Sequence, residues 1–347
     1  MIALYIIIGI LIFGVLIASH ELGHFTAAKA LGVRVNEFSV GMGPALLKRQ
    51  RGETLYALRA FPIGGYCAME GEDELSEDSR AFSSAAAWKR LIILVAGSAA
   101  NFLVGFLIVL ILFSVTAKGF YTTTVRGFAD GSTLSESTGL QSGDRLVKIN
   151  GERIWLRGDI DTVLSRSGSD SADVTVERGG STVELRGVSL TYQNSAELRF
   201  TVRRATVGAQ LENAWYHSVD FVRLVRMGLV DLVTGNAGVK DLSGPIGIVD
   251  TITEIGTDQS YSRGEALGNV LYLAAFIAVN LSVMNMLPIP ALDGGRVFFL
   301  LLTWVIEKII RRKLDPKYEG YIHAVGLVLL IGFMLVVMYN DIVRLFF

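Results

Sequence analysis

The chain has 347 residues, 51% hydrophobic and 19% charged, with a formal net charge of -1. A mean hydropathy of +0.46 excludes an ordinary soluble domain and points to a multi-span membrane protein. The near-zero charge leaves no footprint for nucleic acid, and the single cysteine, Cys67, excludes an internal disulfide and a cysteine-rich zinc site. Residues 1–31 form an apolar run whose first basic residue is Lys29. That is too long for a signal peptide and predicts a retained transmembrane helix. Near its end stands His20-Glu21-Leu22-Gly23-His24. Residues four apart share one face of a helix, so His20 and His24 can offer imidazole nitrogens to one metal ion. Glu21, about 100° round the helix, can hold a water bound to that metal. This is the H-E-x-x-H pattern of zinc peptidases, two ligands and a general base. The chain has only 4 His, and two of them are here.

Residues 32–90 carry Arg34, Lys48, Arg49, Arg51, Arg59, Arg80, Lys89 and Arg90. The positive-inside rule makes this segment cytoplasmic and the N-terminus external. Within it, Thr54 to Met69 is apolar and aromatic but broken by Pro62, Gly64 and Gly65, which predicts short strands and a tight turn. Such a hairpin or re-entrant loop could cradle an extended substrate through its strand edge, or be an ordinary surface hairpin. Glu70 to Glu77 reads as a solvated acidic loop. A second span covers 91–115. Asn101 lies in its interior with Gly97 and Gly105 on one face, as packing glue or as part of a site.

Residues 116–206 change character. Short alternating runs such as Asp173–Glu177 and Thr182–Arg186 are separated by turns at Gly143-Asp144, Asn150-Gly151 and Gly179-Gly180. These predict a soluble β-rich domain on the outside. The run Gly139 to Ile154 is similar to the core signature of a PDZ domain, a module that binds an extended peptide at a sheet edge. Residues 207–266 follow as an amphipathic helix over 209–233 and a linker. The helix fits the outer membrane surface and fits equally well against the β-rich domain. His217 reads as a surface histidine, and Leu242-Ser-Gly-Pro-Ile-Gly-Ile as a turn-rich element.

The third span, 267–304, is interrupted at Asn285-Met-Leu-Pro288-Ile-Pro290-Ala-Leu-Asp293-Gly-Gly. Two prolines and two glycines must break the helix there. A carboxylate between apolar runs requires a partner, and a cation is the obvious one. Catalytic zinc takes three protein ligands and leaves one position for water, so Asp293 is the best candidate for the third. Residues 305–320, with Lys308, Arg311, Arg312, Lys313 and Lys317, read as a second cytoplasmic loop. Residues 321–347 form the last span, in which His323 reads as structural. The expected fold is an α-helical polytopic membrane protein. It has four transmembrane helices, a cytoplasmic-side membrane-associated β-loop and an inserted extracytoplasmic PDZ domain.

With both motifs, the chain resembles the site-2 proteases, intramembrane zinc metalloproteases, and among them the bacterial members with one PDZ domain that cleave anti-sigma factors. The likeness rests on His20–His24, Gly97-Ser-Ala-Ala-Asn101-Phe102, the PDZ insertion, Leu242–Gly247 and Asn285–Gly294. Ser98 departs from the pattern, where relatives often have Pro. The resemblance implies zinc held by His20, His24 and Asp293, with Glu21 as catalytic base. It implies substrate contacts from Asn285, with Pro288 and Pro290, and from Gly64, Gly65 and Tyr66 of the β-loop. It implies single-span membrane protein substrates, including anti-sigma factors and signal peptide remnants, and a peptide or protein ligand for the PDZ domain. It also implies contact with membrane lipids and a place in the bacterial cytoplasmic membrane, with the active site near the cytoplasmic side. Two other readings remain open: a non-catalytic PDZ scaffold, and a membrane zinc protease of the prenyl-peptide type.

Overall fold

The computed structural model describes residues 2–72, 76–310 and 317–346. Arg311, Arg312 and Lys313 of the expected basic loop, and 73–75 of the acidic one, lie outside the described residues. The chain divides into two compact units, one of residues 109–220 and one of the residues flanking them on both sides.

The flanking unit begins with helix α1, Ile2–Ala30. Strands β1, Val35–Arg51, and β2, Thr54–Met69, follow and pair antiparallel. Helix α2 spans Ala87–Thr116. Four helices are long and apolar enough to cross a membrane: Ile2–Ala30, Ala87–Thr116, Arg263–Asn285 and Gly320–Leu345. Ile2, Leu11, Val15, Leu103, Leu329 and Leu335 are more than half exposed, a surface that only lipid solvates well. Helix pairs meet where side chains are small. A Cβ on Gly23 would fall 2.3 Å from the Ala96 carbonyl oxygen, so α1 and α2 touch backbone to backbone.

The segment read as a short hairpin at 54–69 is larger than expected, because β1 is itself a 17-residue strand. Residues Glu37–Val40 are matched twice, to Gly65–Ala68 and to Leu55–Leu58, so the two strands curl into one compact sheet. Gly41 and Gly64 make the bends, at φ of +85° and +81°. Residues 65–69 end up at the sheet's edge. No other strand among the described residues pairs their outer side.

Residues 109–220 hold a six-stranded sheet. Its elements are β3 (Gly119–Phe128), α3 (Leu134–Thr138), β4 (Arg145–Ile149), β5 (Glu152–Arg153), α4 (Arg157–Ser167), β6 (Ala172–Arg178), β7 (Ser181–Val188), α5 (Tyr192–Ser195) and β8 (Leu198–Arg204). The strand order is β7-β6-β4-β3-β8, with β5 paired to β4. Asn150-Gly151 and Gly179-Gly180 take positive φ at hairpin turns, as such pairs favour. Leu140, Leu146, Ile149, Val174 and Leu190 form the dry core. Asp144 is buried beneath the Gly139–Asp144 loop. It accepts hydrogen bonds from Gln141 N at 2.8 Å and from Arg178 Nε at 2.7 Å, while Arg178 Nη2 also donates to Gly139 O at 2.8 Å. Burial opposes ionisation of Asp144, but the guanidinium and the amide outweigh it and hold its carboxyl below the ordinary range.

Helix α6, Val207–Thr234, matches the expected amphipathic helix. His217 on it is half-buried with its ring 4.9 Å from that of Phe113, which corrects the reading of a surface histidine. The expected linker holds helix α7, Pro245–Thr257, opened by Pro245 in the first turn. The turn-rich appearance of Leu242–Gly247 marks this helix start. Asp341 accepts hydrogen bonds from Gly244 N and Gly247 N at 3.1 and 2.9 Å, capping α7 from another helix. The broken third span is two helices, α8 (Arg263–Asn285) and α9 (Asp293–Ile310). Helix α10, Lys317–Phe346, ends the fold.

Candidate metal centre

His20 and His24 project from the last third of α1, and Asp293 from the first residue of α9. The His20 Nε2 to Asp293 Oδ2 distance is 3.0 Å, the His24 Nε2 to Asp293 Oδ2 distance 3.2 Å, and the two Nε2 atoms stand 3.1 Å apart. Three donors around a tetrahedral ion at about 2.05 Å would be roughly 3.3 Å apart. The donor set, two imidazoles and one carboxylate, and its spacing therefore fit one zinc ion. It is the only such cluster among the described residues.

Each donor is oriented from behind. His24 Nδ1–H donates to Ile93 O at 2.8 Å, which leaves Nε2 free to bind a metal. The carboxamide of Asn285, the last residue of α8, stands 3.4 Å from His20 Nδ1. Ser19 Oγ donates to Asn101 Oδ1 at 2.7 Å, tying α1 to α2 one residue before His20. Asn101 is buried in that bond. Gly97 on α2 opens the space between the imidazoles. A Cβ there would lie 2.2 Å from His24 Nε2 and 2.8 Å from His20 Cε1.

The break between α8 and α9 aims Asp293. Gly294 and Gly295 tuck the start of α9 under residues 286–290; a Cβ on either would fall within 2.3 Å of Met286 O or Ile289 O. Pro288 and Pro290 lie in this loop, beside the cluster rather than in it. Ala291, at φ +77°, donates its N–H to His323 Nδ1 at 3.0 Å, so His323 braces the loop from α10. Ser19 and His323 carry no motif signal.

Glu21 faces the β1–β2 sheet. An added Cβ on Gly65 would lie 3.2 Å from Glu21 Cγ and 3.5 Å from Ile17 Cγ2. The edge segment 65–69 therefore runs past the candidate base. Gly64 meets Met42 within the sheet. Tyr66 Oη accepts a hydrogen bond from Arg59, which also donates to Glu37. Gly64 and Tyr66 are thus occupied in shaping the sheet, and Gly65 is the one that borders Glu21.

An apolar helix bundle with a His-Glu-x-x-His helix and a converging carboxylate has the form of a membrane metallopeptidase. The sequence profile of Peptidase family M50 matches residues 8–333, and the chain belongs to that family. It is 34% identical to a Clostridium acetobutylicum protein that carries a zinc-metalloprotease name, over 97% of each chain. It is 28% identical to the regulator of sigma-W protease RasP of Bacillus subtilis, over 97% of this chain and 98% of that one. It is 26% identical to the zinc metalloprotease RasP of Oceanobacillus iheyensis, over 97% and 98% of the two chains. The chain is thus a zinc metalloprotease of the membrane, and zinc is its metal.

Proposed function

We propose that the protein cleaves transmembrane segments of single-span membrane proteins, using zinc held by His20, His24 and Asp293 and Glu21 as general base. The observation that carries this is one juxtaposition: the three donors converge on one point while an unpaired strand edge passes Glu21. When bound, zinc supplies Lewis acidity toward the scissile carbonyl and the attacking water. Glu21 takes the proton from that water and returns it to the leaving amine nitrogen. Asn285 stands behind the His20 ring, with its carboxamide 3.4 Å from Nδ1, and orients that ring. Its position on the rim also suits a contact with the substrate backbone. Pro288 and Pro290 shape the same rim.

The substrate lies extended along the Gly65–Met69 edge, which offers unpaired backbone groups. A helical substrate hides its carbonyls, so it must unwind first. Replacing helix-breaking residues near the cut with Leu is expected to slow cleavage.

In this reading the membrane spans fall within 1–31, 91–115, 267–304 and 321–347, the PDZ domain within 116–206, and the cytoplasmic segments within 32–90 and 305–320. The basic residues of 32–90 support a cytoplasmic-side active site and an extracytoplasmic PDZ domain in a bacterial inner membrane. The PDZ reading is supported by the Gly139–Ile154 run and by a six-stranded sheet that carries the short helices α3, α4 and α5. The likeness to a sigma-W regulator protease supports anti-sigma factors as substrates. Signal peptide remnants have the same single-span form.

Purified wild type and Glu21→Gln test this with a single-span substrate in detergent. Both are expected to hold about one zinc, with cleavage by the variant at least about 100-fold slower. Equal cleavage by the two would remove Glu21 from the chemistry.

A further inference from the structure

The third ligand and the strand edge belong to distant parts of the chain, and one ion pair joins them. Arg296 stands one turn after Asp293 on α9, hence on the same face. Its Nη1 donates to Glu72 Oε1. Glu72 lies three residues past the end of β2, and its other oxygen, Oε2, accepts the N–H of Met69, the last residue of the edge segment, at 3.3 Å. The Glu72 side chain is 13% exposed and that of Arg296 33%, so the pair is largely shielded from water.

The two oxygens of one carboxylate therefore bind two different things. One takes the helix that presents Asp293, and the other takes the backbone of the strand that borders Glu21. Gly294 and Gly295 fix the start of α9 against the 286–290 loop, so α9 is a rigid reference. As a strand, the edge segment is paired on one side only among the described residues, by β1. Its outer side is the side a substrate strand would use.

We propose that Glu72 and Arg296 are positioning residues that set the register between the substrate strand and the metal centre. This rests on the reading that the 65–69 edge receives substrate. A strand advances about 3.3 Å per residue, and a displacement of about 1 Å at a reacting centre can cost roughly 100-fold in rate. A tether between the edge and the ligand helix determines which peptide bond stands at Glu21. Loss of the pair acts on register and leaves His20, His24 and Asp293 in contact.

The test uses the full chain in detergent with a single-span substrate whose cut is mapped by mass spectrometry. Wild type and Glu21→Gln are run first. If wild type fails to cut, or Glu21→Gln cuts equally well, the protease reading of the site fails, and the clamp fails with it. With that reading upheld, Arg296→Gln and Glu72→Gln are expected to keep about one zinc per chain. They should spread cleavage over neighbouring bonds and lower kcat/KM at the native bond about ten-fold or more. The exchanged pair, Glu72→Arg with Arg296→Glu, should regain part of the single-bond preference. A single native cut at the wild-type kcat/KM in both single variants overturns the proposal. Loss of zinc in Arg296→Gln also overturns it, since Arg296 would then support the metal rather than the register.

Discussion

Gly97 is the residue on which the site's volume depends most directly. A methyl group there would sit 2.2 Å from His24 Nε2, the atom proposed to bind zinc. Gly97→Ala is expected to lose zinc at a chelator concentration that leaves wild type loaded, with helix content unchanged by circular dichroism. Asn285→Ala should weaken zinc about 10- to 100-fold in the same competition, as loss of a ligand's orienting partner does. The histidine pair and Asp293 are legible in the sequence because spacing and the cost of a carboxylate in an apolar run both narrow the choices. The part played by Gly97 is not, since it depends on how closely two helices cross. Nor are the bonds of Ser19 to Asn101 and of His323 to Ala291, which join residues 82 and 32 positions apart. No local pattern encodes such pairs.

The β1–β2 sheet illustrates where pattern reading stops at the level of elements. Gly41, Gly43 and Pro44 look like breakers, yet the glycines only bend a 17-residue strand that stays paired. The sheet's tie to Glu21 passes through Gly65. Gly65→Ala would bring a Cβ to 2.9 Å from Ser39 O and 3.2 Å from Glu21 Cγ, so the edge must move away from Glu21. Cleavage is expected to fall about ten-fold or more while zinc content, measured by mass spectrometry, stays at the wild-type level. Helix α7 was hidden in a stretch that reads as linker, because its start is capped by Asp341, 97 residues from Gly244. Asp341→Ala leaves two N–H groups without their acceptor, a loss of about 2 kcal/mol. The expected result is a lower thermal midpoint in detergent.

For the molecule as a whole, charge and hydropathy carry the division into apolar spans and a β-rich domain. The hairpin turns at Asn150-Gly151 and Gly179-Gly180 carry much of that domain's chain path. The two units should respond differently to acid. Asp144 is held ionised in the native state by Arg178 and Gln141, so its contribution is present above about pH 4 and lost as pH falls through the depressed native value. Asp144→Asn is expected to sensitise residues 109–220 of the full chain to proteolysis at pH 7. That difference from wild type should shrink at acid pH. In the proposed site one zinc ion joins α1 to α9 through His20, His24 and Asp293. Zinc K-edge absorption of the purified full chain tests it most directly, with wild type compared against Asp293→Ala. Two imidazole nitrogens and one carboxylate oxygen, within about four ligands at 2.0–2.2 Å, with the oxygen shell changed in the variant, is the predicted result. A thiolate shell from Cys67, or identical spectra for the two proteins, would rule out that ligand set.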